Sequence, residues 1–444
     1  MKKLSFLFLS LLLIGIVSCK KETVDVTGLL KTVPSSTAGV VVFNMEDMLK
    51  DAGCKIKGHE IIPGDEIKNF CNKNSSQQQN KLMTLFEGNS GIEPKGAVIF
   101  YDSNRAFLTF ALYDETKFTE LIEKNYGYTF TNAGSGVKIG GNVAVKGGQA
   151  WICLTPGKKI DSDAIVSYST LASSQSILVT PIGERLLADE EDVRGWALLD
   201  TFLNNILNRT DRGIFTLGLG FLFDNPESVR FSMDFKKGEW EADAIILNDK
   251  GKPAKYLLPS EKTDIKILKS LGSTCDAMMT FTVTPKLIKK FDKLGESFGG
   301  ALFGNLEETF KNVDGTVGVV TGSAGVNESL RGVVTTKGEV STALKDMIST
   351  EMGEIGMDGN LLKFSHGDVK GNLTVEECAE ALKGCCLGVI VDNEGIKNLG
   401  YGWSLPEGFQ KLVMKCEPES GSLEFKLEVT TTDNKENALI TFLK

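Results

Sequence analysis

Residues 36–45 read Ser-Thr-Ala-Gly-Val-Val-Val-Phe-Asn-Met, and residues 273–282 read Ser-Thr-Cys-Asp-Ala-Met-Met-Thr-Phe-Thr. Each opens with small and polar residues, becomes apolar, and passes straight into helical sequence, Glu46 to Ala52 in one case and Pro285 to Leu294 in the other. A short apolar run bounded by turn residues reads as a buried strand. Asn44 with Asp47 three residues on resembles a capping box, and Thr284 before Pro285 sets an N-cap ahead of a proline at the first helical position. Two further copies of the device follow. Arg194 to Asp200 leads into Phe202, Leu203, Ile206 and Leu207, and Cys386 to Asp392 leads into a shorter helix ending near Leu399. Asp200 and Asp392 are read as the capping acids of these copies.

The sequence between these copies also recurs. After the first comes a hairpin, Ala97 to Tyr101 with Ala106 to Leu112, then a helix carrying Phe118, Leu121 and Ile122 on one face and stopped by Gly127. After the copy at 273 come Thr316 to Val320, Leu330 to Thr335 and a helix carrying Val340, Leu344, Met347 and Ile348. The other two copies are followed by alternating hairpins, Val229 to Phe235 with Glu241 to Leu247, and Leu412 to Cys416 with Leu423 to Thr430. The economical reading is a tandem duplication, residues 33–258 and 259–444, each half an α+β module of antiparallel sheet with helices packed on one face. The glycine-broken apolar stretch from Phe215 to Phe223 reads as a strand.

The N-terminus is an address. Lys2 and Lys3 precede an apolar run from Leu4 to Val17, the pattern of a secretory signal peptide over residues 1–18. Ile16-Val17-Ser18-Cys19 resembles the bacterial lipobox, so Cys19 is the expected lipidation site, with residues 19–32 as a short tether. Two or three acyl chains anchor a protein stably where one does not. A tether of a dozen residues reaches at most about 45 Å, which keeps the folded part beside its membrane. Loss of Lys2 and Lys3 with the signal takes Lys+Arg from 49 to 47 against 58 acids, a mature net charge of −11. So acidic a body argues against nucleic acid as a partner.

The Val33-Pro34 lead into a Val-rich strand ending at Asn44, Gly91-Ile92 before a hairpin, the Phe118 helix, the acidic run before Trp196, the hairpin from Val229 and the restart at Gly272 to Thr284 resemble a large family of Bacteroidetes lipoproteins. That family is described only as a domain of unknown function. The resemblance covers almost the whole mature chain and implies an outer-membrane lipoprotein on the periplasmic face or the cell surface. It brings no catalytic residues.

Chemistry-bearing motifs are sparse. Eight cysteines remain beyond Cys19, and Cys54 and Cys71, which flank a polar loop, are the first candidates for a disulfide, with free buried cysteine as the alternative. The two histidines, His59 and His366, read as solvated loop residues with nothing local to orient either ring. His366 with Asp368 and an unspecified serine is the weaker, hydrolase reading, and no G-x-S-x-G elbow presents that serine. There is no CxxC, HExxH or complete EF-hand loop, and Asp189-Glu190-Glu191-Asp192 reads as a solvated acidic turn rather than a Ca²⁺ site. The expectation is therefore no metal, no cofactor and no catalytic residue. Trp151, Trp240 and Trp403 are candidates for stacking on a glycan, with core packing as the alternative. The leading reading is a non-enzymatic envelope lipoprotein that binds a protein or other ligand. A lipid-tethered hydrolase and a glycan-binding lipoprotein are the alternatives.

Overall fold

A computed structural model describes residues 25–73, 90–102, 105–206, 222–297, 305–324, 327–398 and 407–443, with residues 213, 216, 218–220 and 405 between them. The first quoted run is strand β1 (Gly39–Phe43), and it lies inside an antiparallel sheet. It pairs on one side with β2 (Ile92–Asp102) and on the other with β6 (Val193–Leu198). The remaining principal strands of the first unit are β3 (Arg105–Leu112), β4 (Val143–Lys146), β5 (Gln149–Cys153), β7 (Ser228–Lys236) and β8 (Glu239–Leu247). Their order across the sheet is β8-β7-β6-β1-β2-β3-β5-β4, extended beyond β4 by the short strands Lys138–Gly140 and Thr131–Asn132.

The second unit repeats this plan. Its strands are β9 (Ala277–Val283), β10 (Val313–Ala324), β11 (Asn327–Thr336), β12 (Glu354–Asp358), β13 (Leu361–His366), β14 (Leu387–Asp392), β15 (Phe409–Glu419) and β16 (Ser422–Thr431). Their order is β16-β15-β14-β9-β10-β11-β13-β12, the same permutation strand for strand. The registers agree as well: Gly39 opposes Tyr101 and Ala197, and Ala277 opposes Thr321 and Val391. The backbone bond from Ala38 N–H to the Tyr101 carbonyl recurs as Asp276 N–H to Thr321.

The α+β class and the antiparallel sheets match expectation, but helices cover both faces of each sheet rather than one. Val40-Val41-Val42-Phe43 does not alternate with polar residues, so both of its faces need covering. One face of the first sheet packs Phe43, Ile99 and Phe110 against α2 (Met45–Asp51) and α3 (Glu115–Tyr126). The other packs Val40, Val42, Phe100, Phe107 and Trp151 against α1 (Thr27–Leu30), α4 (Ser162–Ser169) and α5 (Pro181–Ala188). In the second unit α8 (Pro285–Ser297) and α9 (Thr342–Met352) lie against Val283, Val334 and Phe364. There α7 (Ile265–Lys269) and α10 (Val375–Ala381) lie against Met278, Val333 and Ile390.

The caps behave as the residues dictate. The Asn44 side chain accepts from Asp47 N–H and donates to the Asp47 carboxylate, and Thr284 accepts from Leu287 N–H. Asp392 accepts from Gly395 N–H at the start of helix Asn393–Asn398. Asp200 differs from expectation. Its helix α6 (Leu199–Ile206) already begins at Leu199, and the residue equivalent to Asp392 by register is Leu198.

The chain divides into one compact unit that runs to Gly218, resumes over Pro226–Lys252 and regains Asp433–Lys444, and another comprising Leu219–Asn225 and Pro253–Thr432. Two departures from the expected boundaries have local causes. The last helix, Ala438–Leu443, buries Leu439 in the first unit's core, and the Asn437 side chain donates to the Phe235 carbonyl. The stretch expected as a strand at 215–223 is helical at 216, 218–220 and 222, with only Phe223 in an isolated bridge to Tyr256. Among the described residues no helix is long and apolar enough to cross a membrane.

Candidate functional site

The two units differ where β5 connects to β6 and β13 connects to β14. The first connection, residues 154–192, holds α4, two 3-10 turns and α5; the second, residues 367–386, holds a two-residue strand and α10. Helix α4 has no counterpart in the second unit. In the first unit it presses Ile165 and Tyr168 onto Phe107, Trp151 and Ala144, all at most 1% exposed, and Tyr168 stands edge-on to Phe100 and Phe107. Its hydroxyl donates to Asp102.

Register pairing identifies what the missing helix leaves open. Phe107 opposes Cys153, and Arg331 opposes Ser365, so Phe107 corresponds to Arg331 and Cys153 to Ser365. One row along, Thr109, Trp151 and Ala144 correspond to Val333, Lys363 and Gly356. A sealed aromatic layer in one unit is thus a groove of about 360 Å³ in the other, floored by β11, β13 and β12 and bordered by Ser270 and Leu271 after α7. Two glycines shape this part of the sheet. Gly332 faces the opposite side, where an added Cβ would collide with the Phe364 ring, and Gly356 leaves open space above β12.

The groove's charges are arranged in order. Arg331, Ser365 and Glu354 form one row across three strands. Arg331 is half-buried and donates from Nη1 to the Leu271 carbonyl at 3.0 Å. Gly272, at φ +131°, makes room for it, since a Cβ there would stand 2.4 Å from Nη1. Lys363 Nζ is held 2.6 Å from Asp358. Glu354 is exposed and has no ion-pair partner among the described residues. The arrangement offers a fixed guanidinium, a hydroxyl and an accessible carboxylate, which is a set of binding groups. The residues were not apparent in the sequence because Arg331 and Lys363 occupy strand positions where a charged residue normally marks a solvent face. The discernible signal was the shorter connection in the second half.

The residues singled out from sequence fall elsewhere. Cys19 and Trp403 lie outside the described residues. Cys54 is a buried free thiol in the core around α2, its pKa raised by burial, and the side chain of Cys71, its expected partner, lies outside the described residues. The turn after α2 directs Cys54 inward. Cys153, Cys275, Cys378, Cys385, Cys386 and Cys416 are also free and buried. Burial pushes Cys385 to about 11 and Cys386 and Cys416 to about 12. Cys275 and Cys378 lie with their sulfurs 3.8 Å apart.

His59 is oriented, contrary to expectation. It stacks on Tyr113 with ring centres 4.2 Å apart, and its Nδ1 lies 3.0 Å from Glu93. His366 is exposed at the end of β13 and Asp368 is paired with Lys370, and among the described residues no hydrogen bond joins His366 to Asp368 or to a serine. The acidic run does not form a solvated turn. It surrounds Arg194, 1% exposed, which donates to the Leu186 and Glu191 carbonyls, while Asp192 accepts from Phe235 N–H. Burial lowers the Arg194 pKa against the opposing pull of Asp189, Glu191 and Asp192, and burial raises that of Asp189. Trp151 is core, and Trp240 packs on Phe235 in the first unit. Among the described residues no cluster of three His, Cys, Asp or Glu side chains is placed to hold a metal.

No family model and no curated protein matches this chain. Solved structures do align with it. TP0453 in crystal form III covers 79% of this chain and 96% of its own, at 8% identity and a TM-score of 0.31. Crystal form I covers 82% and 97%, at 8% identity and 0.30. Likeness at that level supports no functional argument.

Proposed function

We propose that this protein is an envelope lipoprotein, tethered through a lipid on Cys19, that binds a ligand without chemistry in the groove of its second unit. The lipobox-like Ile16 to Cys19 and the resemblance to Bacteroidetes lipoproteins support the anchor and an outer-membrane address. The observation that carries the binding reading is the contrast between equivalent positions. Phe107 and Trp151 are sealed beneath α4, whereas Arg331 and Lys363 line an open groove. Unfilled concave sites with a few placed polar groups are where small ligands bind. We read its guanidinium, hydroxyl and carboxylate as groups that bind and orient a ligand.

A photo-crosslinking residue at position 356, where an added side chain meets open space, tests this in intact cells. The reading expects a discrete adduct from position 356 and none from Met357, which is exposed on the other face of the same strand. No adduct from 356, or equal adducts from both, contradicts it.

A further inference from the structure

Resting on that binding reading, we infer that the groove takes a short peptide with a free carboxylate and a free amine, the carboxylate on Arg331 and the amine on Glu354. Arg331, Ser365 and Glu354 stand side by side on β11, β13 and β12. Two strand spacings separate the outer pair by roughly 10 Å. An extended chain covers about 3.3–3.6 Å per residue, so three residues span that distance.

Each end has its own chemistry. A guanidinium offers a planar fork matched to a carboxylate, and Arg331 is steadied for that task by the Leu271 carbonyl and by the absence of a side chain at Gly272. Lys363 does not compete for the carboxylate because Asp358 already holds its ammonium. Glu354 is the acid in the row without an ion-pair partner among the described residues, and an ammonium completes it. Between the two, the Ser365 hydroxyl can serve a peptide group, and the open space over Gly356 admits a small side chain. A groove of about 360 Å³ is at the small end of ligand pockets, which suits a tripeptide rather than a protein surface. A neutral glycan would leave both end charges unmatched.

The test is calorimetric titration of the detergent-solubilised lipoprotein with tri-alanine, with its C-terminal amide and with its N-acetyl form. Tri-alanine is expected to bind, and blocking either end to weaken binding about 10- to 100-fold, the size of a charge-assisted hydrogen bond. Arg331→Met should weaken tri-alanine to the level of the amide and leave the amide unchanged, and Glu354→Gln should do the same for the acetylated form. The blocked ligands probe unaltered protein, so a folding defect in a variant does not obscure the result. Equal binding of free and blocked peptides, or no binding at ten millimolar, overturns the inference. A crosslinked adduct at 356 alongside absent tripeptide binding refutes the peptide class alone; loss of both refutes the groove as a binding site.

Discussion

Arg194 and the cysteines show how burial changes the meaning of a residue type. A guanidinium sealed beneath α5 is tolerable because Leu186 and Glu191 carbonyls accept from it and three acids surround it. Removing one partner of a buried ionic cluster costs about 3–5 kcal/mol, because the remaining charges lose compensation. Arg194→Met should lower urea-unfolding stability by that amount; a loss under about 1 kcal/mol would mean the cluster is not coupled as described. The buried thiols lead to a second expectation. Cys54, Cys153, Cys385, Cys386 and Cys416 should resist iodoacetamide in the native protein and react fully in denaturant without reductant. Protection of Cys54 in denaturant would instead reveal a disulfide.

At the scale of elements, α7 and α10 are joined by Lys269, whose ammonium binds both Glu376 and Glu380. Those bonds raise the Lys269 pKa and depress that of Glu380. A depressed acid contributes above its unfolded value and loses that contribution as pH falls, while a raised amine contributes below its unfolded value and loses it as pH rises. The clasp therefore acts between acid and strongly alkaline pH. Lys269→Met should lower Tm slightly at pH 7 and by less at pH 3; an equal drop at both would contradict an electrostatic origin. Gly272 serves the groove more directly. Gly272→Ala should displace Arg331 and weaken tri-alanine binding while leaving amidated peptide unaffected, measured by the same titration.

The elements were unequally legible. β1, β9 and their following helices could be read because apolar run, cap and helix are contiguous, as in Phe43-Asn44-Met45. The second helical layer was not, since α4 carries only Ile165 and Tyr168 inward and its short period resembles a loop. His59 and Tyr113 meet through tertiary contact alone, which no local spacing predicts.

For the whole molecule, two units share one strand order, and the repeat visible in sequence is the feature that organises the fold. We regard tandem duplication as its origin. The return of Asp433–Lys444 to the first unit escaped the sequence reading because Ala438-Leu439 resembles any terminal apolar run. Cys19→Ser should move the protein into the soluble fraction on cell fractionation, and persistent membrane association would show that the anchor is misassigned. The groove escaped notice because it is defined by a difference between the halves, and only register reveals which positions correspond. Hydroxyl-radical footprinting of the native protein distinguishes the sealed layer from the open groove. The peptide carrying Trp151 and Cys153 on β5 should be protected, and the peptide carrying Lys363 on β13 oxidised. Equal protection of the two would show that the second unit's groove is covered like the first unit's aromatic layer and that the two surfaces do not differ.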